Sequence, residues 1–157
     1  MKIEKELNLN ELLNLAIALE QKGEKFYREQ ANIASKSDIK QIFNDLAKQE
    51  KEHSSFFLKI LENDKSYDPE NPMPDDYYEY LYQYASISLF KIKERKLEKG
   101  NIVDILSYAI DVELYSILYY YEFQKYLQPA DYEILQNIIL EEKSHYNKLV
   151  KLLNEYE

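Results

Sequence analysis

Apolar residues recur along this chain at steps of three and four through four long stretches. The first runs from about Asn8 to Ala34, with Leu9, Leu13, Ala16, Glu20, Gly23, Tyr27 and Ala31 on one stripe. A second, about Ser37 to Glu62, carries Ile39, Phe43, Leu46, Glu50, His53, Phe57 and Ile60. From about Asn101 to Leu127 the stripe is Ile102, Leu106, Ala109, Glu113, Ser116, Tyr120, Phe123 and Leu127. From about Pro129 to Tyr156 it is Leu135, Ile138, Glu142, His145, Leu149 and Leu152. This is the seam pattern of packed helices. Asn101, with Asp104 three residues on, predicts an N-cap, and Pro129 suits a first helical turn. Short connections at Ser35-Lys-Ser37 and Gln128-Pro129 make each consecutive pair an antiparallel hairpin.

Between the hairpins lies a link from Asn63 to Gly100. It opens with the breaker-rich Asp68-Pro-Glu-Asn-Pro-Met-Pro74 and predicts a further helix over about Asp76 to Glu98. Such a link can cross the bundle and let the second hairpin pack on the first. The hairpins also repeat one another. Ala16-Ile-Ala-Leu-Glu20 matches Ala109-Ile-Asp-Val-Glu113, and Tyr27 and Tyr120 each follow their glutamate by seven residues.

In each stripe a polar group stands where an inert bundle would be apolar: Glu20, Glu50 with His53, Glu113, and Glu142 with His145. Burying carboxylates without compensation costs several kcal/mol each. The chain's only two histidines each follow a glutamate by three residues, so each pair shares one helix face. Residues equidistant from a hairpin turn lie level. Glu20 and Glu50 are symmetric about Ser35, and Glu113 and Glu142 about the Leu127–Gln128 bond. Six ligands thus converge near mid-bundle.

Four carboxylates and two neutral imidazoles balance two divalent cations. Oxygen and nitrogen ligands without thiolate suit iron or manganese better than structural zinc. The expected arrangement is two metals bridged by carboxylates, drawn from two lone glutamates and two Glu-x-x-His pairs.

Composition narrows the rest. At 157 residues the chain is expected to form one domain, 1–157, and two glycines and four prolines favour long helices over sheet. No cysteine is present, which excludes disulfides, thiolate metal sites and a thiol nucleophile. A net charge of −9 argues against nucleic acid as partner, and the alternating run Lys91 to Lys99 looks like a solvated helix face. No stretch resembles a signal peptide or a membrane span, so a cytoplasmic protein is expected. Sixteen tyrosines are present. The cluster Tyr77, Tyr78, Tyr80, Tyr82 and Tyr84 is expected to pack the crossover helix or a dimer surface rather than to carry electrons.

The segments Ala16 to Tyr27, Gln49-Glu50-Lys-Glu-His53, Ala109 to Glu113 and Glu141-Glu142-Lys-Ser-His145 resemble the rubrerythrin branch of the ferritin-like superfamily. The resemblance implies an all-α, ferritin-like four-helix bundle with a di-iron carboxylate centre that reacts with peroxide or dioxygen. By motif position, Glu20 and Glu113 would be terminal ligands, Glu50 and Glu142 bridging ligands, and His53 and His145 the nitrogen ligands. Rubrerythrins proper carry another glutamate one turn after the third-helix ligand. Here that position is Ser116, its repeat equivalent is Gly23, and the set looks like the symmetric one of bacterioferritin-type centres.

Rubrerythrins often append a cysteine-ligated rubredoxin domain; with no cysteine in this sequence, electrons are expected from a separate donor protein or from ferrous iron. Glu141 and Gln49 could reach His53 and His145, or face solvent. Tyr27 and Tyr120 could bond a ligand, supply an electron, or simply fill the core.

The leading expectation is a di-iron peroxidase or oxidase, working as a homodimer. Ferroxidase-type iron storage is the alternative, against which stands the extra material in the crossover rather than in a fifth C-terminal helix. Manganese catalase chemistry is a third.

Overall fold

A computed structural model describes residues 2–63, 67–89, 97 and 101–157, with side chains left out at 2–7 and 87–89. Helix α1 spans Lys2–Ile33, α2 Ser37–Glu62, α3 Asp75–Gln83, α4 Ile102–Gln124 and α5 Pro129–Tyr156. Helix α1 packs chiefly on α2 and α4 on α5, giving the two hairpins. Among the described residues no helix is long and apolar enough to cross a membrane.

The helix ends follow local chemistry. Asn101 caps α4, its side chain accepting from the Asp104 N–H at 3.1 Å. Pro129 sits in the first turn of α5 and holds Gln128 extended before it. That constraint stops α4 at Gln124, short of the expected Leu127: residues 125–128 form the turn, and Leu127 pairs with Tyr67 instead. Helix α1 starts at Lys2 rather than near Asn8, since nothing in the first seven residues breaks it.

The crossover departs from expectation too. Helix α3 ends at Gln83 and passes into a π-helical segment, Tyr84–Leu89, where the Ser86 hydroxyl takes the Tyr82 carbonyl at 2.7 Å. The rest of the helix expected over 76–98, and the basic run from 91 to 99, lie outside the described residues apart from Leu97. The link begins beside the α4–α5 turn, held by Gln128 on the Tyr67 carbonyl (3.1 Å) and Asn71 on the Lys125 carbonyl (2.7 Å).

Two apolar cores divide the bundle along its length. One joins Leu9 to Leu19 of α1 with Phe57 and Ile60, α3, the second half of α4 and the first half of α5. The other joins Tyr27 and Ala31 with Ile39 to Ala47, Ile105 to Ala109, Leu149 and Leu152. Glu20, Glu50, His53, Glu113, Ser116, Glu142 and His145 are all buried and belong to neither core. The polar layer sits between them.

Candidate metal centre

Each main helix delivers its polar residues to that layer from mid-span, flanked by apolar residues that fix its rotation. Two groups of potential ligands result, Glu20, Glu50, His53 and Glu142, and Glu50, Glu113, Glu142 and His145. Within each group the ligand atoms lie within 4.8 Å of one another. Glu50 and Glu142 belong to both, so they are positioned to be shared. The structure brings all six expected ligands together.

The imidazoles are oriented from behind. His53 Nε2 lies 2.5 Å from Glu141 Oε2, and His145 Nε2 lies 2.5 Å from Gln49 Oε1. Both partners are acceptors, so each Nε2 carries hydrogen and each Nδ1 faces inward. Inward, His145 Nδ1 meets oxygens of Glu50, Glu113 and Glu142 at 3.5, 3.6 and 3.6 Å. These are too long for hydrogen bonds, and His145 Nδ1, Glu20 Oε2 and Glu113 Oε2 have no hydrogen-bond partner although buried. Inward-facing ligand atoms left unpaired beside carboxylates are what a cation would satisfy. The donor set fits two oxygen- and nitrogen-preferring divalent metals.

Two tyrosines hold the outer carboxylates reciprocally. Tyr27 on α1 donates to Glu113 Oε1 on α4 at 2.5 Å, and Tyr120 on α4 donates to Glu20 Oε1 on α1. Sequence reasoning missed how close Gly23 comes. A Cβ there would lie 3.1 Å from Glu50 Oε2, so any side chain at this position would make the Glu50 carboxylate give by a few tenths of an ångström. Ser116, buried at the equivalent place on α4, borders the same cavity. That cavity, about 230 Å³, runs from Lys22 and Lys25 at the surface to Glu50 and Glu142.

The layer's electrostatics are those of a protonated cage. Burial pushes Glu50 up, and the charges of Glu142, Glu20 and Glu113 push it further. Burial and the charges of Glu113 and Glu20 likewise raise Glu142 to about 8. Burial opposes ionisation of Glu113, but its interaction with Glu142, the nearby His145 imidazole and the Tyr27 hydrogen bond outweigh it and hold the carboxyl at about 2. Glu20 is lowered in the same manner, burial being outweighed by Glu50, His53 and Tyr120. Burial disfavours charge on His53, yet Glu142 and Glu20 raise it to about 12, and Glu113, Glu142 and Glu50 similarly raise His145. Without metal, Glu50, Glu142 and the two Nδ1 atoms are therefore all biased toward their protonated forms. Two divalent cations would replace four protons with no change in net charge.

Known proteins give the comparison. A crystal structure at 2.30 Å resolution of a candidate ferritin-like diiron-carboxylate protein from Thermotoga maritima is similar, with a TM-score of 0.68 and 29% identity over 94% of this chain and 95% of that one. No curated protein matches the chain. The fold is therefore a ferritin-like helical bundle. The rubrerythrin family model matches residues 11–101, spanning the first hairpin and the crossover, while Glu113, Glu142 and His145 lie beyond it. Because that match takes in more than half of the 157 residues, the chain belongs to the rubrerythrin family.

Proposed function

We propose that this protein is a di-iron oxidoreductase that reduces hydrogen peroxide or dioxygen. The observation that carries the reading is the pair of ligand groups sharing Glu50 and Glu142 at the floor of a cavity open to solvent. One metal would be held by Glu20, Glu50, His53 and Glu142, the other by Glu50, Glu113, Glu142 and His145. Iron bound there would supply electrons and Lewis acidity toward an oxygen–oxygen bond.

The chain's own residues do the rest. Gln49 and Glu141 fix the imidazoles, and Tyr27 and Tyr120 fix the terminal carboxylates. The two apolar cores keep bulk water from the layer on both sides, so small molecules reach it through the cavity. Glu141, whose side chain is 49% exposed, connects His53 Nε2 to solvent and can pass a proton there.

No cysteine is available as an internal electron carrier, so the electrons come from a separate donor protein or from ferrous iron. We take the working unit to be a cytoplasmic homodimer. Anaerobic protein loaded with ferrous iron and mixed rapidly with hydrogen peroxide is expected to oxidise its iron faster than free ferrous iron reacts. Equal rates would overturn the proposal.

Ser116 in place of a fifth carboxylate favours a second reading, ferroxidase-type iron handling. Solution size separates the two: a dimer supports the redox enzyme, a many-subunit shell the storage protein. Metal analysis of protein from its native source, with a catalase assay, tests the manganese reading.

A further inference from the structure

The tyrosines of the crossover and of α4 form a continuous file of rings. Tyr120, bonded to Glu20, lies 5.8 Å from Tyr119, centre to centre. Tyr119 lies 6.3 Å from Tyr84, Tyr84 lies 6.3 Å from Tyr80, and Tyr80 lies 6.2 Å from Tyr77. Tyr119 and Tyr120 are fully buried, whereas Tyr80 is 57% exposed. The file therefore leads from a candidate metal ligand to the surface.

Packing alone does not account for it. The neighbouring Phe57 and Phe123 show that this core accepts phenylalanine, at 4.9 and 6.1 Å from the Tyr120 ring. Each buried hydroxyl in the file instead required an acceptor: the Leu12 carbonyl for Tyr119, Glu20 for Tyr120 and the Tyr115 carbonyl for Tyr84. The sequence repeat predicts a matching file from Tyr27, but the rings packed on Tyr27 include Phe26 and Phe43, which are far harder to oxidise than tyrosine. At both ends the phenol donates a hydrogen bond to a carboxylate, Tyr120 to Glu20 and Tyr77 to Glu122.

We propose that Tyr120, Tyr119, Tyr84, Tyr80 and Tyr77 relay single electrons between the bundle surface and the metal centre. The relay rests on the di-iron reading above. Electron tunnelling decays exponentially with distance, so short steps between oxidisable rings carry charge where one long jump does not. Hydrogen peroxide is the oxidant: as it is reduced at the iron-loaded centre, Tyr77 loses one electron and its phenolic proton passes to the Glu122 carboxylate. The electron reaches the centre through the four other rings, each oxidised and then re-reduced in turn. Lys125 lies 4.9 Å over the Tyr77 ring and disfavours positive charge there, so the proton transfer that leaves the ring neutral makes Tyr77 the resting place. A one-electron organic reductant, an enediol such as ascorbate, then restores Tyr77, and Glu122 returns the proton. Two such electrons and two solvent protons convert one hydrogen peroxide to two waters.

The test uses two arms. In the first, protein loaded with ferrous iron is mixed with hydrogen peroxide in excess over the iron and a nitroso spin trap, and adducts are located by mass spectrometry. Adducts at Tyr77 and Tyr80 should exceed those at Tyr132, which is 41% exposed but off the file, and ascorbate should suppress them. Tyr84→Phe should lose that excess while its circular dichroism is unchanged. Tyr119→Phe serves the same purpose if Tyr84→Phe misfolds. In the second arm, metal-free protein is illuminated with a ruthenium photo-oxidant too large to reach buried rings. An electron paramagnetic resonance signal that Tyr120→Phe removes should also vanish in Tyr84→Phe. Equal adducts at Tyr77, Tyr80 and Tyr132, or signals indifferent to Tyr84→Phe, would overturn the relay. Iron that is not oxidised faster than free iron counts against the di-iron reading instead, and the photo-oxidation arm alone then decides the relay.

Discussion

The Tyr27 hydroxyl donates a 2.5 Å hydrogen bond to Glu113 Oε1, tying α1 to α4 across 86 residues of sequence. This bond joins the two hairpins at the level of the metal layer and holds a terminal carboxylate in place. A buried hydrogen bond to a charged acceptor contributes about 1.5–3 kcal/mol. Tyr27→Phe should therefore destabilise the metal-free protein by about that amount in urea unfolding and raise Glu113 from its low pKa. A loss below about 0.5 kcal/mol would show that Glu113 finds another donor.

Gly23 and Glu50 make an opposing case. An alanine at 23 should gain about 1 kcal/mol of helix propensity, yet its Cβ would crowd Glu50 Oε2 at 3.1 Å. Gly23→Ala is expected to leave thermal stability equal or higher while weakening metal binding. Calorimetric titration with ferrous or manganous ion measures the second effect. Unchanged affinity would mean that Glu50 withdraws without cost to its ligand role.

Shared and unshared ligands should differ in stoichiometry. Glu50 serves both ligand groups and His145 one. Glu50→Ala should lose both metals, and His145→Ala should retain about one of two. Two metals kept in both variants, by mass-spectrometric metal analysis, would refute the assignment.

The protonated cage predicts proton release. Loading two divalent ions at neutral pH should expel about four protons, from Glu50, Glu142, His53 and His145. Above pH 8, where Glu142 is already ionised, the number should fall. Calorimetry in buffers of different ionisation enthalpy counts them, and release of one proton or none would contradict the arrangement.

The same groups set the pH dependence of the metal-free fold. His53, raised to about 12 by Glu142 and Glu20 against the effect of burial, stabilises fully below its ordinary 6.5 and progressively less as pH rises toward 12. Glu142, raised to about 8, favours the fold while protonated, and ionising it between 4.5 and 8 withdraws that support. Glu113, held at about 2, works oppositely: its contribution is present above 4.5 and lost as pH falls through 2. Metal-free protein should thus unfold at lower denaturant at pH 9 than at pH 6, and metal should remove or reverse the difference.

Much of the site is legible in the amino-acid sequence alone. The three-and-four spacing determines which face of each helix is buried, and equal distance from a short turn determines height, so Glu20 had to lie level with Glu50 and Glu113 with Glu142. Both are local properties of helical geometry. The helix limits near Asn101 and Pro129 are legible for the same reason, because a cap and a ring constraint act within one turn.

What only the tertiary structure decided depends on how side chains from distant segments approach. Rotamers and helix separation settle that Nδ1 of each histidine faces inward, that Gly23 makes room for Glu50, and that Tyr120 reaches back to Glu20. The turn of α3 into a π-helical segment lets Tyr84 meet both Tyr119 and Tyr80. In the sequence Tyr84 and Tyr119 stand on opposite sides of the end of the link between hairpins, and no periodicity connects them. Helical periodicity places ligands on a face. The contact that gives two such faces a common interior is a long-range one, chosen by packing.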